Sequence, residues 1–342
     1  MPSPHDDLIN QYSALHTRYE SFSSRLEALL RDLLDTRSIR RHFSESRAKS
    51  LDSLREKINR PGKNYKGNLS SVPDLAGIRI VLYYEDDVPR AGEVIREEFN
   101  IVEKEETHQP DGYSPDQFGY LSLHFIISLN EARSALPEWK IYADMKAEIQ
   151  IRTVLQHSWA AVSHALQYKK EADVPRSLRR KLFRLAGLFE LADEEFVAIR
   201  DKASTLQAES ETALRGDKSL VEIDIPTIIS FLADSHAAAQ MQETLEMMGF
   251  QFDDIKGLES ELVEHADKLN LKSMAEIEDL AKNFRLQFFE EIFTDPWIVN
   301  RSFVLILAMI DKYTKSFTKN YLKSFGWGDT VIERVLTAAK NK

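Results

Sequence analysis

Cysteine is absent from the 342 residues, which excludes disulfides and thiolate metal sites. No apolar run approaches bilayer-spanning length, so no membrane partner is expected. The opening residues Met1-Pro2-Ser3-Pro4-His5-Asp6-Asp7 are polar and acidic, unlike a secretory leader, and a cytoplasmic location is the expectation. Internal repeats and low-complexity stretches are lacking as well. So is an excess of positive charge: 45 Lys and Arg stand against 55 Asp and Glu, a net charge of −10. A protein that binds polyanions over its whole surface is usually basic, so any nucleotide or RNA contact must come from a local basic patch. What remains, 43% hydrophobic and 29% charged residues, is the composition of an ordinary globular protein. The length exceeds a usual single domain, and two domains are expected.

Periodicity orders the chain. Residues 8–34 carry apolar side chains at helical spacing and predict a long amphipathic helix. A basic region from Arg37 to Arg60 follows, with Ser50 as cap of a helix that stops before Pro61-Gly62. Asp74 then opens a β-branched, aromatic strand from Ile78 to Tyr84. A helix over 88–99, with Asp87 as N-cap, precedes strands near 100–105 and 120–129, separated by a polar loop over 107–117. A strand around Glu148 and a helix holding Trp159 come next, then a helix from Pro175 to about Leu214. Its arginines and lysine (Arg176, Arg179, Arg180, Lys181, Arg184) read as a solvated helix face or a subunit contact. This mixed order implies an α/β or α+β layer structure. Gly216-Asp217-Lys218 is a weak break, beyond which the pattern is almost wholly helical and an all-helical domain is expected. Asp224 with Pro226, the Ser273–Glu276 capping box, and Asp329 or Thr330 mark helix starts there. The division is therefore 1–215 and 216–342, the latter a helical regulatory or oligomerisation domain; in the second case the protein is a homo-oligomer.

The chemistry concentrates in a few segments. In Lys146-Ala147-Glu148-Ile149-Gln150-Ile151-Arg152-Thr153 strand alternation puts Glu148, Gln150 and Arg152 on one face and both isoleucines on the other. Asp74-Leu75-Ala76-Gly77-Ile78-Arg79 has a carboxylate at the strand mouth and one internal charge. In Gly119-Tyr120-Leu121-Ser122-Leu123-His124 the polar residues alternate too. Arg47 and Lys49 alternate on an extended segment, and Ser53, Lys57 and Arg60 share a helix face. Together they suit a polyphosphate cradle, with Arg79 as a guanidinium fork or a platform stacked on adenine. Phosphoryl-type transfer needs such cations, a carboxylate-bound Mg²⁺ and a group that orients the attacking hydroxyl.

These segments, in this order, closely resemble the synthetase domain of the RelA/SpoT homologue family, the alarmone synthetases. Trp159, His164, Tyr168 and Lys169 extend the likeness, which spans residues 47–169. The resemblance implies a nucleotidyltransferase-like mixed sheet flanked by helices. It implies transfer of pyrophosphate from ATP to the 3′-hydroxyl of a guanosine nucleotide (GDP or GTP), with AMP released. Asp74 and Glu148 would be the catalytic, Mg²⁺-binding carboxylates. Arg47, Lys49, Ser53, Lys57 and Arg79 would bind ATP. Tyr120, His124, Gln150, Arg152 and His157 would face the acceptor. Two positions depart from the pattern: Asp116 replaces a phosphate-facing lysine, and His157 replaces an Asn or Asp that reads guanine. Both leave open a toxin-like branch that acts on the tRNA 3′ end or on adenosine nucleotides. An inactive nucleotide- or RNA-binding sensor is the third alternative, and the intact Asp74–Glu148 pair argues against it. The hydrolase half that some family members carry needs a His-Asp pair in an upstream metal domain. The one such pair is His5-Asp6, so the chain is expected to make its product and not degrade it.

Overall fold

A computed structural model describes residues 4–59, 65, 68–103, 122–165, 175–253, 257–293 and 298–341. It forms two compact units, Met1–Ile199 and Arg200–Lys342. This division falls inside a helix, earlier than the boundary expected at residue 216.

The first unit runs α1 (Pro4–Thr36), β1 (Arg41–Ala48), α2 (Leu51–Ile58), β2 (Ala76–Leu82), α3 (Asp87–Glu98), β3 (Phe99–Glu103), β4 (Leu123–Leu129), α4 (Glu131–Ser134), β5 (Lys146–Thr153), α5 (Val154–Ala165) and the part of α6 (Arg176–Leu214) up to Ile199. Its five strands lie in the order β1-β2-β5-β4-β3. Only β2 and β5 are parallel; the other pairs are antiparallel. Strand β1 is built from the basic region, where sequence alternation indicated an extended segment but not a paired strand. Its Ser44 and Ser46 hydroxyls donate to Glu27 of α1 at 2.8 and 2.6 Å, so the polar residues of one β1 face are satisfied by the covering helix.

One sheet face is apolar. Ile78, Ile80, Leu82, Phe125, Ile127, Ala147, Ile149 and Ile151 are all buried. Helix α1 covers it with Leu8, Tyr12, Tyr19, Phe22, Leu26, Leu30 and Leu34, the stripe its periodicity predicts. Burying a side chain of that size stabilises by about 1.5–3 kcal/mol, so this stripe rather than helix propensity holds α1 in place. Helix α2 ends at Ile58 with Asn59 as its C-cap, in keeping with a stop before Pro61-Gly62; Arg60 lies outside the described residues. One local expectation is corrected. The N-cap of α3 is Asp86, not Asp87; the buried Asp87 carboxylate pairs instead with Arg90 of the same turn.

The second unit contains α7 (Ile225–Asp234), α8 (His236–Glu246), β6 (Gln251–Phe252), α9 (Glu259–Lys268), α10 (Met274–Lys282), α11 (Leu286–Ile292), β7 (Ile298–Val299), α12 (Arg301–Lys312), α13 (Lys319–Ser324) and α14 (Asp329–Ala338). The unit is helical as expected, with one short parallel strand pair, β6–β7, beside the helices. The expected Ser273–Glu276 capping box forms, and the expected Asp224 cap proves to be a capping box as well, closed by Thr227. Asp329 lies within the first turn of α14 rather than capping it, and its carboxylate pairs with Lys319 and Lys323. Helix α12 is buried almost throughout, and its Leu305 shares one core with Phe231, Phe288 and Phe289. Among the described residues, no helix is long and apolar enough to cross a membrane.

Candidate active site

Register assembles the site. Parallel pairing sets Gly77 beside Glu148, Arg79 beside Gln150 and Val81 beside Arg152. Antiparallel pairing adds Arg47 opposite Gly77 and Glu45 opposite Arg79. On the other side of β5, His124 stands opposite Gln150. Because side chains alternate with period 2, all these polar groups emerge on the face away from α1. The expected alternation of Glu148, Gln150 and Arg152 against Ile149 and Ile151 is therefore what the sheet shows.

Asp74 lies just before β2. Its Oδ2 is 2.6 Å from Lys57 Nζ and 3.0 Å from Lys49 Nζ. Burial pushes its pKa up, but hydrogen bonds and charge from Lys57 and Lys49 outweigh it, and the carboxyl sits below its usual value. The other oxygen, Oδ1, is buried without a hydrogen-bond partner. A carboxylate oxygen of that kind is the donor atom a hard cation takes. Glu148 lies 3.4 Å from His124 Nδ1. Ser122 Oγ is 2.7 Å from the other ring nitrogen of His124. Both contacts suit one tautomer, with Nδ1–H facing the carboxylate and the serine hydroxyl donating to Nε2. Burial again raises the Glu148 pKa, hydrogen bonds from His124 and Gln150 prevail, and the group is held low despite the charge of Asp74. Both carboxylates are thus ionised at neutral pH.

The far end of the face is cationic. Arg79 pairs with Glu45 through Nη1, and its Nε is buried without a partner. Arg152 is only 6% exposed. It donates to Gln150 Oε1, and its Nε too lacks a partner. Burial, then the charge of Arg79, draws its pKa down to about 10. His157, on α5, packs edge-on against Phe43 at 5.3 Å with Nδ1 buried and unpartnered. Burial and the charges of Arg152 and Arg79 depress its pKa. Three orphaned nitrogens on one face are unusual in a protein interior and mark where an acceptor-rich ligand fits.

The structure thus brings together Arg79, His124, Glu148, Gln150 and Arg152 on the sheet, with Lys49, Lys57 and Asp74 clustered at its edge. Arg47 is exposed beside them. Ser53 is exposed on α2, where its Oγ accepts from the Ser50 hydroxyl at 2.8 Å. His124 is engaged with Glu148, a use the sequence pattern did not indicate. His157 lies against Phe43 of β1, near Arg152, Arg79 and Glu45. Tyr120 and Asp116 lie outside the described residues. Glu45 was missed because it reads as one acid within a basic run. Its alternation with Phe43 and Arg47 was the available signal.

Comparison with known proteins adds to this geometry. Residues 46–173 match the family described as a region found in RelA / SpoT proteins. GTP pyrophosphokinase YwaC of Bacillus subtilis is 32% identical over 161 residues, covering 46% of this chain and 72% of that protein. GTP pyrophosphokinase YjbM of the same organism is 27% identical over 178 residues, covering 52% and 80%. Among solved structures, a GTP pyrophosphokinase family protein from Streptococcus pneumoniae aligns at 25% identity with a TM-score of 0.46, over 56% of this chain and 94% of that one. With a relative 32% identical and matched over 72% of its length, the chain belongs to the RelA/SpoT family and carries its synthetase domain, a pyrophosphokinase.

Proposed function

We propose that the protein transfers pyrophosphate from ATP to the 3′-hydroxyl of GDP or GTP and releases AMP. The observation that carries this reading is the pairing of Asp74, with an orphaned oxygen beside two lysines, and an ionised Glu148 on the neighbouring strand. The acceptor's 3′-oxygen attacks the β-phosphorus of ATP, the bond from that phosphorus to the α-phosphate oxygen breaks, and AMP leaves. Glu148 accepts the hydroxyl proton, and His124 fixes its orientation. Lys49 and Lys57 hold phosphate oxygens, with Arg47 and Ser53 at the same end. Arg79 offers its guanidinium to the donor base or phosphates. Gln150, Arg152 and His157 complete the polar face on the acceptor side, where Tyr120 is the proposed stacking partner. Mg²⁺ fits this donor set: Asp74 and Glu148 would hold it, and once bound it would neutralise charge on the triphosphate.

The test offers labelled ATP with Mg²⁺ and, in parallel, GDP, GTP, adenosine nucleotides and deacylated tRNA. Label on GDP or GTP is the expected result. Label only on tRNA or on adenosine nucleotides would replace the acceptor while keeping the chemistry, an outcome for which His157 and Asp116 are the sequence reasons. No label on any acceptor would overturn the reading.

A further inference from the structure

Tyr12 is fully buried on α1, on the apolar side of the sheet, yet its hydroxyl reaches the backbone beneath the donor cradle. It donates to the carbonyl of Lys49 at 2.6 Å and lies 3.4 Å from the carbonyl of Leu75. The same Lys49 donates its backbone N–H to the Leu75 carbonyl at 2.8 Å. These three groups form a closed triangle. Two of its corners are the backbone of Lys49 and the carbonyl of Leu75, the residue after Asp74, and the Lys49 Nζ and Asp74 Oδ2 meet at 3.0 Å in the site. We propose that Tyr12 is a positioning residue, a latch from α1 that fixes the Lys49 and Asp74 segments at the spacing needed to receive the triphosphate. This deepens the proposed function and rests on it.

The physical case is one of register. Lys49 lies just past the end of β1 and Asp74 just before β2, where beyond the Ala48–Ala76 pair the Lys49 N–H to Leu75 carbonyl bond carries the pairing one residue further and the Tyr12 hydroxyl braces it. A shift of about 1 Å in such groups costs on the order of a hundredfold in a reaction that depends on alignment. A buried carbonyl left without its donor is itself unfavourable, so the triangle resists opening. Burial, the nearby Tyr19 and Glu20, and the Asp74 charge all raise the Tyr12 pKa, so the phenol remains a donor throughout the working pH range. Phenylalanine would keep the ring and its packing against Tyr19 and His16 while removing only the latch.

The test measures binding of α,β-methylene ATP with Mg²⁺ by calorimetry, alongside steady-state kinetics, in full-length protein. Tyr12→Phe is expected to weaken nucleotide binding roughly tenfold and to raise the KM for ATP similarly, with the acceptor KM unchanged. Leu30→Val, about five turns further along the same buried stripe, is the control for loss of α1 packing alone and should leave ATP binding as it is. Should Tyr12→Phe fail to fold, amide exchange in the wild-type protein decides: residues 48–50 and 74–76 should be as protected as the centre of β2 before any nucleotide is added. Equal ATP binding by wild type and Tyr12→Phe would overturn the latch, as would exchange of those amides at loop rates. Wild-type protein that binds no α,β-methylene ATP would overturn the proposed function and this inference with it, a result distinct from equal binding.

Discussion

At the scale of single residues, the candidate site sets two carboxylates apart from ordinary surface acids. Glu148→Gln keeps shape and removes the proposed proton acceptor, so product formation should fall at least about a hundredfold while calorimetry shows ATP binding retained. Near-normal turnover would refute the assignment. His124 is the first of the groups that hold the Glu148 pKa down against burial. Replacing it by asparagine should raise that pKa, so the acid limb of the rate–pH profile should move to higher pH; an unmoved limb would show that His124 does not tune Glu148. Asp193 behaves oppositely. It is buried and accepts the Thr153 hydroxyl at 2.6 Å. Burial, then Glu85, raises its pKa from 3.8 to about 7. Between those values the native state keeps a proton that the unfolded state has lost, so this group's contribution falls as pH rises through the window and is constant above it. The loss is about 1.4 kcal/mol per pH unit. Asp193→Asn should remove that part of the slope in thermal denaturation between pH 4 and 7, leaving the variant relatively more stable at pH 8. An identical slope in both proteins would exclude a raised Asp193.

At the scale of elements, caps and stripes were readable and pairing was not. The Asp224–Pro226–Thr227 start of α7 follows from local chemistry alone: the Asp224 side chain accepts the Thr227 N–H at 2.8 Å, and the Thr227 hydroxyl satisfies the Asp224 N–H at 2.9 Å. Asp224→Ala should therefore cost the second unit about 1 kcal/mol, read as a lowered denaturant midpoint with unchanged slope; no change would mean that the cap is replaced by water. Strand β1 is the contrary case. Arg41, Arg47, Glu45 and the serines give it little apolar content, and by composition it reads as a basic linker. Its strand character comes from partners: β2 supplies the ladder, Glu27 satisfies the serines, and Arg79 neutralises Glu45. The same partners explain why Glu45 could be seen as part of the site only once β1 and β2 were paired.

At the scale of the whole molecule, each unit has its own core. The last turns of α6 belong with the second: Gln207 bonds Ser230 at 2.7 Å, and Leu214 packs on that unit's core. A chain cut after Ile199 should therefore fold and keep pyrophosphoryl transfer, and residues 200–342 alone should unfold cooperatively. The measurements are transfer of label from ATP and a single denaturation transition for each piece. A folded 1–199 piece that binds ATP but transfers nothing would show that the second unit contributes to the chemistry.

The sequence by itself determined the α1 stripe, the caps at Ser50, Asp224 and Ser273, the alternation of Glu148 with Ile149 and the identity of nearly every polar group on the site face. Each is a local property, fixed by spacing along one segment and by the period of helix or strand. Tertiary structure alone decided that His124 serves Glu148, that Lys49 and Lys57 converge on one oxygen of Asp74, that Arg152 is buried, and that a tyrosine from the opposite side of the sheet bonds the backbone beneath them. Those outcomes depend on strand order and register, which join segments far apart in the chain, and no pattern within one segment encodes which distant backbone will lie beside it.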